Sequence, residues 1–430
     1  MGCARPGRES VFLDHLHMYL PKIGVSGTGF IATGLVHLLE RSPEFLISKV
    51  LTRRPLDSVD SVDPVYLTHS IDEMVDASDI VFECSGDAIH ATDVVLRAAE
   101  AGKRVVTINS EFHVTTGSYF AQRGAYVTEA DGDQPGCLAR LKLEIEGMGF
   151  EPQAYVNLKG FLNPNPTYRD MAYWSEKQEL ALDQVVSFTD GTKLQIEQAL
   201  VANGLGATIA CEGMIGSTVD SLSDLDYLVD ASNLADMPVS DYALCKGAPP
   251  GVLIVAKNPE ADRRPGYLPF SRLMTTEGSG FVLLRPFHLC HLEALNTIRR
   301  VVQGEPELLT NSSAPRIGVG AVAKNPMKAG EVIKKGAGGF DVRGQAVHMA
   351  DHPDAVPICL LKDTVLVRDV EPGEVVRFEH VALADTTALR LYHKIRHSVQ
   401  EGRRALSNHF CCFGLADFFS ATPMQLLSLI

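Results

Sequence analysis

A glycine-rich turn near the start of the chain has the composition of a phosphate cradle. Ile23-Gly24-Val25-Ser26 reads as a strand, Gly27-Thr28-Gly29-Phe30-Ile31-Ala32 fits G-x-G-x-x-A, and an amphipathic helical run follows. Gly27 permits the tight turn, Gly29 lets the backbone approach a pyrophosphate, and Ala32 allows close helix–strand packing. The helix opening there directs free N–H groups and the positive end of its dipole at the anion. The hexapeptide alone also fits a plain glycine turn; the strand before and helix after point to a dinucleotide, with Gly27, Thr28, Gly29, Phe30 and Ile31 as its cradle.

The end of the next strand discriminates between cofactors. A carboxylate about 20 residues past the glycines would hold a ribose 2′-hydroxyl, but the chain reads Leu51-Thr52-Arg53-Arg54-Pro55. Two guanidiniums suit a 2′-phosphate through charge-assisted bidentate contacts, so the expected cofactor is NADP, with NAD second. The plain alternative is two solvated loop arginines. Cys84-Ser85-Gly86 and Asn109 close two later strands at the same sheet edge and are candidates for lining the nicotinamide pocket.

These groups need a frame to hold them. Strands are expected at 22–26, 46–52, 65–67, 80–84 and 104–108, and helices at 29–40, 71–77 and 91–101. That alternation predicts a Rossmann-type, doubly wound parallel sheet of the α/β class. From Tyr126 to Gly304 the spacing lengthens, the loop Asn163-Pro164-Asn165-Pro166 punctuates, and sheet runs stand at 251–256 and 280–284. An α+β substrate or dimerisation domain is expected there. Glu305 to Arg316 reads as a linker. Residues 317–385 form a small β-rich module whose turns Ala329-Gly330-Glu331 and Pro372-Gly373-Glu374 echo one another. The expected limits are 1–20 disordered extension, 21–125 nucleotide domain, 126–304 catalytic and oligomerisation domain, 317–385 β module and 386–430 tail.

Composition excludes several classes. A formal net charge of −14 argues against a nucleic-acid or anionic-membrane surface, which needs clustered Lys and Arg. The nine cysteines are odd in number, scattered and without a C-x-x-C pair, which predicts reduced thiols in a cytoplasmic protein and no zinc cluster. Met1-Gly2-Cys3 begins like an acylation signal, but Pro6 stands where Ser or Thr is wanted. The apolar end, with Phe410-Cys411-Cys412-Phe413 and Phe418-Phe419, is too short and interrupted to span a bilayer. It reads as a docking helix or an aggregation-prone tail.

Taken together, G-x-S-G-T-G-F-I-A from Gly24, Glu83-Cys84-Ser85-Gly86, Val105-Val106-Thr107-Ile108-Asn109 and Glu129-Ala130-Asp131-Gly132-Asp133-Gln134-Pro135-Gly136 resemble the homoserine dehydrogenase superfamily. Phe188-Thr189-Asp190-Gly191-Thr192-Lys193, Ile196-Glu197, Val201-Ala202-Asn203 and Leu284-Arg285-Pro286-Phe287-His288-Leu289 resemble its branch with a C-terminal SAF domain. That branch includes the bacterial enzyme similar in activity to 1-deoxy-D-xylulose 5-phosphate reductoisomerase. The resemblance spans about Lys22 to Asp385. The module at 317–385 is similar to SAF domains of sialic acid synthases and altronate dehydratases.

Within that resemblance Lys193 is the main catalytic candidate. Hydride transfer at a carbonyl carbon needs a proton donor and a positive charge at the oxygen, and burial would lower a lysine's pKa toward working pH. Asp190, three residues earlier, could orient Lys193 from the same helix face or bind substrate; a solvated pair is the alternative. Lys159 matches a basic strand position in the family. Glu129, Asp131, Asp133 and Gln134 form a polar cluster that could hold substrate hydroxyls or a divalent metal ion, or be a solvated acidic loop. Arg285 could bind a phosphate or carboxylate and His288 could transfer a proton, although a lone Arg or His is more often structural. One departure counts against homoserine as substrate: relatives place a lysine directly after the fifth-strand asparagine, where this chain has Ser110-Glu111.

The expected function is NAD(P)-dependent oxidation or reduction at a CH–OH group of a small sugar-like substrate, phosphorylated or carboxylated, with isomerisation coupled or not, in a homo-oligomer. The rivals are homoserine dehydrogenase itself and a non-catalytic module binding a dinucleotide and a sugar acid.

Overall fold

The computed structural model describes residues 19–262 and 273–412. Nearly all of the N-terminal extension, and the tail beyond 412, lie outside the described residues.

Five of the six parallel strands stand where alternation predicts: β1 (Lys22–Ser26), β2 (Leu46–Leu51), β3 (Leu67–Thr68), β4 (Ile80–Glu83) and β5 (Arg104–Thr107). The sheet order is β3-β2-β1-β4-β5-β6, which reverses direction at β1 and β4 as in a Rossmann fold. The helix Phe30–Glu40 buries Ala32, Leu35, Val36 and Leu39, one stripe at helical spacing, against this sheet. The helix Ala88–Glu100 covers the other face and is capped by Asp87, whose carboxylate accepts from the Ile89 and His90 N–H groups. The sheet continues through β6 (Val127–Glu129), past the expected limit at 125. Three residues are too few for a pattern to register.

The second sheet runs β11-β10-β7-β9-β8, from Phe281–Arg285, Val252–Lys257, Glu151–Lys159, Val239–Cys245 and Thr218–Val219 respectively. β10 is apolar from Val252 to Ala256 because both its faces are covered there. Val252, Ile254 and Ala256 pack under the helix Gln134–Glu146, and Leu253 and Val255 pack toward the helix Asp226–Ala235. The helix His291–Val302 returns to the first sheet, where Ala294, Ile298 and Val301 join its core.

The stretch 305–316 is held more closely than a linker. Leu309 is buried, its carbonyl accepts from the Glu129 N–H at 2.7 Å, and the Leu308 N–H reaches Thr128 Oγ1 at 2.9 Å. Its polar composition hides two leucines that lie beside β6.

The third unit pairs β12 (Ile317–Ala323) with β14 (Val342–His348), and β13 (Val332–Lys335), β15 (Lys362–Leu366) and β16 (Val381–Ala382) in a second antiparallel sheet. The two echoing turns are alike in detail. Gly330 and Gly373 take φ of 92° and 82°, and Glu331 and Glu374 each accept from a backbone N–H three residues earlier. Met327 and Val370 exchange backbone hydrogen bonds between them, both 2.9 Å. This unit shares a continuous core with the helix Thr192–Gly204, through Leu194, Ile196, Ala199 and Ala202. β14 is tied to it by Gly344 N–H to Thr192 Oγ1 and Ala346 N–H to Gln195 Oε1, both 2.8 Å. The helix is therefore buried nearly all round, between the second sheet and the β module. A final helix, Thr387–Cys412, places Leu391 in the core beside Ala91, Val95 and Phe112. No helix of the described residues is long and apolar enough to cross a membrane.

Candidate active site

The phosphate cradle has the shape its glycines require. Gly27 sits at φ 127°, a region L side chains rarely adopt, and a Cβ there would lie 3.0 Å from the Cys84 carbonyl oxygen. Gly29 precedes Phe30–Glu40 with no side-chain cap, and a Cβ on it would meet nothing within 4 Å. The approach over Gly29 is therefore open, and the first turn of the helix carries no acidic residue. This fits a pyrophosphate. Ala32 is fully buried against β1, as close packing needs. Thr28 Oγ1 lies 3.1 Å from Thr52 Oγ1, joining the cradle to the end of β2. Phe30 is largely exposed and meets His291 edge to face.

Arg53 and Arg54 are both exposed beyond β2. Arg53 Nη1 bonds Asp87 Oδ2 at 2.7 Å, a carboxylate 34 residues away that local reading of β2 missed. At the far edge, Asn109 is buried. Its Nδ2 donates to Glu83 Oε2 at 3.0 Å and its Oδ1 accepts from the Phe112 N–H. The Ser85 N–H also reaches Glu83, at 2.9 Å, so one buried glutamate shapes the ends of both β4 and β5. Burial pushes the Cys84 thiol well up, with Glu83 adding to it, so it stays protonated.

Lys193 enters the cleft from the first turn of Thr192–Gly204. Its Nζ stands 3.0 Å from Glu111 Oε2, 3.6 Å from Asp133 Oδ2 and 3.9 Å from Glu197 Oε1. The expected lowering of its pKa is overturned. Burial does work in that direction, but Glu111, Asp133 and Glu197 outweigh it and hold the ammonium well above its ordinary value. Lys193 is a fixed cation. Glu197, fully buried and bonded to Asn157 Nδ2 at 2.7 Å, is pushed by burial and by Asp133 up to about 7. The i,i+4 spacing of Lys193 and Glu197 was the sequence signal for that partner. Glu111 had only its place beside Ser110.

Other candidates divide into those brought to this cluster and those kept apart. Asp133 faces Lys193 and accepts from Ser110 Oγ at 3.3 Å. Lys159, at the end of β7, is close enough to Glu197 and His288 to shift both. Gln134 Nε2 stands 3.2 Å from His288 Nε2, and burial keeps His288 neutral. Glu129 lies 3.3 Å from His113 on the inner wall, both wholly buried. Burial pushes Glu129 well up and His113 down to about 3, so a neutral acid faces a neutral imidazole.

Asp131 is turned away. Arg285 Nη1 bonds it at 3.0 Å, Arg140 Nε approaches at 3.3 Å, and the second Arg285 nitrogen holds Glu293. Asp131, Cys137 and Glu293 converge like metal ligands, but Arg285 takes two of the three and burial keeps the thiol protonated. These residues do not fit a cation, and Arg285 is spent on neighbours rather than on a substrate anion. Asp190 does not orient Lys193. Gly191, at φ 85°, breaks the helix between them, and Asp190 Oδ2 bonds Lys324 Nζ of the β module at 2.6 Å.

Two segments of the chain match known families. Residues 27–121 match the family described as homoserine dehydrogenase, NAD binding domain, and residues 132–294 match oxidoreductase DRL, catalytic domain. The chain thus carries one segment similar to a homoserine dehydrogenase NAD-binding domain and one similar to an oxidoreductase catalytic domain. No curated protein matches it. Solved structures similar to the chain include a homoserine dehydrogenase from Thiobacillus denitrificans, at 22% identity over 41% of this chain and 43% of that one, TM-score 0.30. Another is homoserine dehydrogenase from S. aureus, at 14% identity over 43% and 50%, TM-score 0.29. A third is biliverdin reductase from Synechocystis, in complex with biliverdin and NADP+, at 15% identity over 34% and 49%, TM-score 0.25. The chain spans about half the length of each.

Proposed function

We propose that this oxidoreductase transfers a hydride between NADP(H) and a small, hydroxylated, sugar-like carbonyl or alcohol carrying a phosphate or carboxylate. The observation that carries the reading is the Lys193 ammonium, held by three carboxylates, two of which follow β5 and β6 in the sheet whose β1 ends in the phosphate cradle. The bound nicotinamide supplies or accepts the hydride. Lys193 stands where a carbonyl oxygen can accept its N–H, and it stabilises the negative charge that grows on that oxygen. Lys193 stays protonated throughout, and the proton for the alkoxide comes through Glu197, the neighbour whose carboxyl changes state near neutrality. Glu111 and Asp133 hold the ammonium and can accept from substrate hydroxyls. Ser110, directly after Asn109, stands where homoserine dehydrogenases carry a lysine, so homoserine is a poor fit. Isomerisation before reduction, as in the reductoisomerase-like relatives, is compatible with the same groups.

Glu197 gives this reading a pH signature. Its folded pKa lies above its unfolded value, so its contribution to stability is complete below about 4.5 and is lost as pH rises through about 7. The rate profile should carry a limb near pH 7, and Glu197→Gln should remove both that limb and the loss of stability across this window. A limb unchanged in the variant would take Glu197 out of the proton path. Turnover itself is tested by following NADPH absorbance with sugar phosphates, hydroxy acids and homoserine. Cofactor binding with no consumption on the whole panel would favour a binding module.

A further inference from the structure

We propose that Lys362, carried by the C-terminal β module, completes the 2′-phosphate site of the dinucleotide, so that the cofactor is held between two units of the chain. The inference rests on the NADP reading. Lys362 is the first residue of β15, and the Leu361 before it is buried, with its carbonyl accepting from the Gly336 N–H at 2.8 Å. From that fixed base its Nζ reaches Asp87 Oδ2 at 3.0 Å, the same oxygen that Arg53 Nη1 approaches at 2.7 Å. Two cations therefore meet on one carboxylate oxygen, and the trio carries a surplus positive charge. Both cationic side chains remain 51% exposed, open to an incoming anion.

The position is the informative part. Arg53 follows β2 and Asp87 follows β4, the strands on either side of β1, whose end bears the phosphate cradle. That crevice is where an adenosine with its ribose lies in a doubly wound sheet. A 2′-phosphate carries up to two negative charges, more than the single carboxylate now facing Arg53 and Lys362. Asp87 is firmly ionised: burial opposes its charge, but hydrogen bonds from Arg53 and Lys362 outweigh that and hold its carboxyl well below the ordinary range. It keeps the two cations aimed at one point while opposing any anion that joins them. A mere strut between domains needs one partner for Asp87; a second cation beside Arg53 at this edge is what a phosphate would use.

The test titrates the full chain with NADPH and with NADH, following nicotinamide fluorescence at low salt, where exposed charges are least screened. Lys362→Gln should weaken NADPH about tenfold, the value of one charge-assisted contact, and leave NADH unchanged; Lys362→Arg should keep the preference. Asp87→Asn retains the helix cap, since Asn caps as well as Asp, and removes the opposing charge. It should tighten NADPH severalfold. Unchanged NADPH affinity in Lys362→Gln, or equal weakening of both cofactors with a lowered unfolding temperature, would overturn the proposal in favour of a strut. A wild-type chain with no preference for NADPH sinks the cofactor reading and this inference together. A preference lost in Arg53→Gln and kept in Lys362→Gln sinks this inference alone.

Discussion

Replacing Lys193 by Met should lower kcat by about a thousandfold or more while NADPH binds as before, because a single charged donor at a developing oxyanion is worth that much. Met matches the lysine stem, so packing on the helix Thr192–Gly204 changes little. What changes is the charge balance. Glu111, Asp133 and Glu197 lose the cation they share, and the remaining carboxylates take up protons more readily. The pH profile of any residual activity should therefore shift upward. A Lys193→Arg chain keeps the charge but sets a larger planar guanidinium among the three carboxylates, so it should bind substrate and turn over slowly. Measuring kcat and the NADPH dissociation constant separately distinguishes a lost catalytic group from a distorted cleft. Near-wild-type kcat in Lys193→Met would remove the residue from the reaction.

The second large effect concerns stability and lies at Lys324. Its Nζ bonds Asp190 Oδ2 at 2.6 Å and the Gly339 carbonyl at 2.9 Å, and both ion-pair partners are buried, at 3% and 0% side-chain exposure. Lys324→Met would strand a buried carboxylate, a loss of about 3–5 kcal/mol. Burial already raises the Asp190 pKa despite Lys324, so without the cation the carboxyl must take a proton to stay buried. The deficit should therefore be largest at high pH and shrink in acid. Asp190→Asn combined with Lys324→Met removes both charges and should recover most of the loss. Denaturant unfolding at two pH values checks this; a single-variant loss that is small and independent of pH would show that the pair does not hold the β module to the catalytic unit.

These two predictions also separate what local pattern reveals from what it hides. The phosphate cradle was legible because its chemistry lies in six consecutive residues and the strand and helix beside them. β10 was legible because burial on both faces writes a continuous apolar run. Lys193 came from the family resemblance, but its electrostatics did not: burial alone argues for a lowered pKa, and the reversal needs Glu111, 82 residues away. Asp190 was assigned by helical spacing, which fails because Gly191 turns left-handed between the two residues. Asp190–Lys324 and Asp87–Lys362 join residues 134 and 275 apart in the chain. No window along the sequence contains such pairs. Asp131 and Arg285 looked like site residues because strand ends collect them, and their mutual ion pair is visible only once the fold brings the end of β11 to the residues after β6.

The most direct test of the central claim mixes the full chain with NADPH and a panel of small phosphorylated or carboxylated hydroxy-carbonyl compounds, and follows loss of the reduced nicotinamide's absorbance. The account predicts turnover on at least one member, faster with NADPH than with NADH and abolished in Lys193→Met. NADPH that binds but is consumed with none of them, or equal consumption by Lys193→Met, would contradict it.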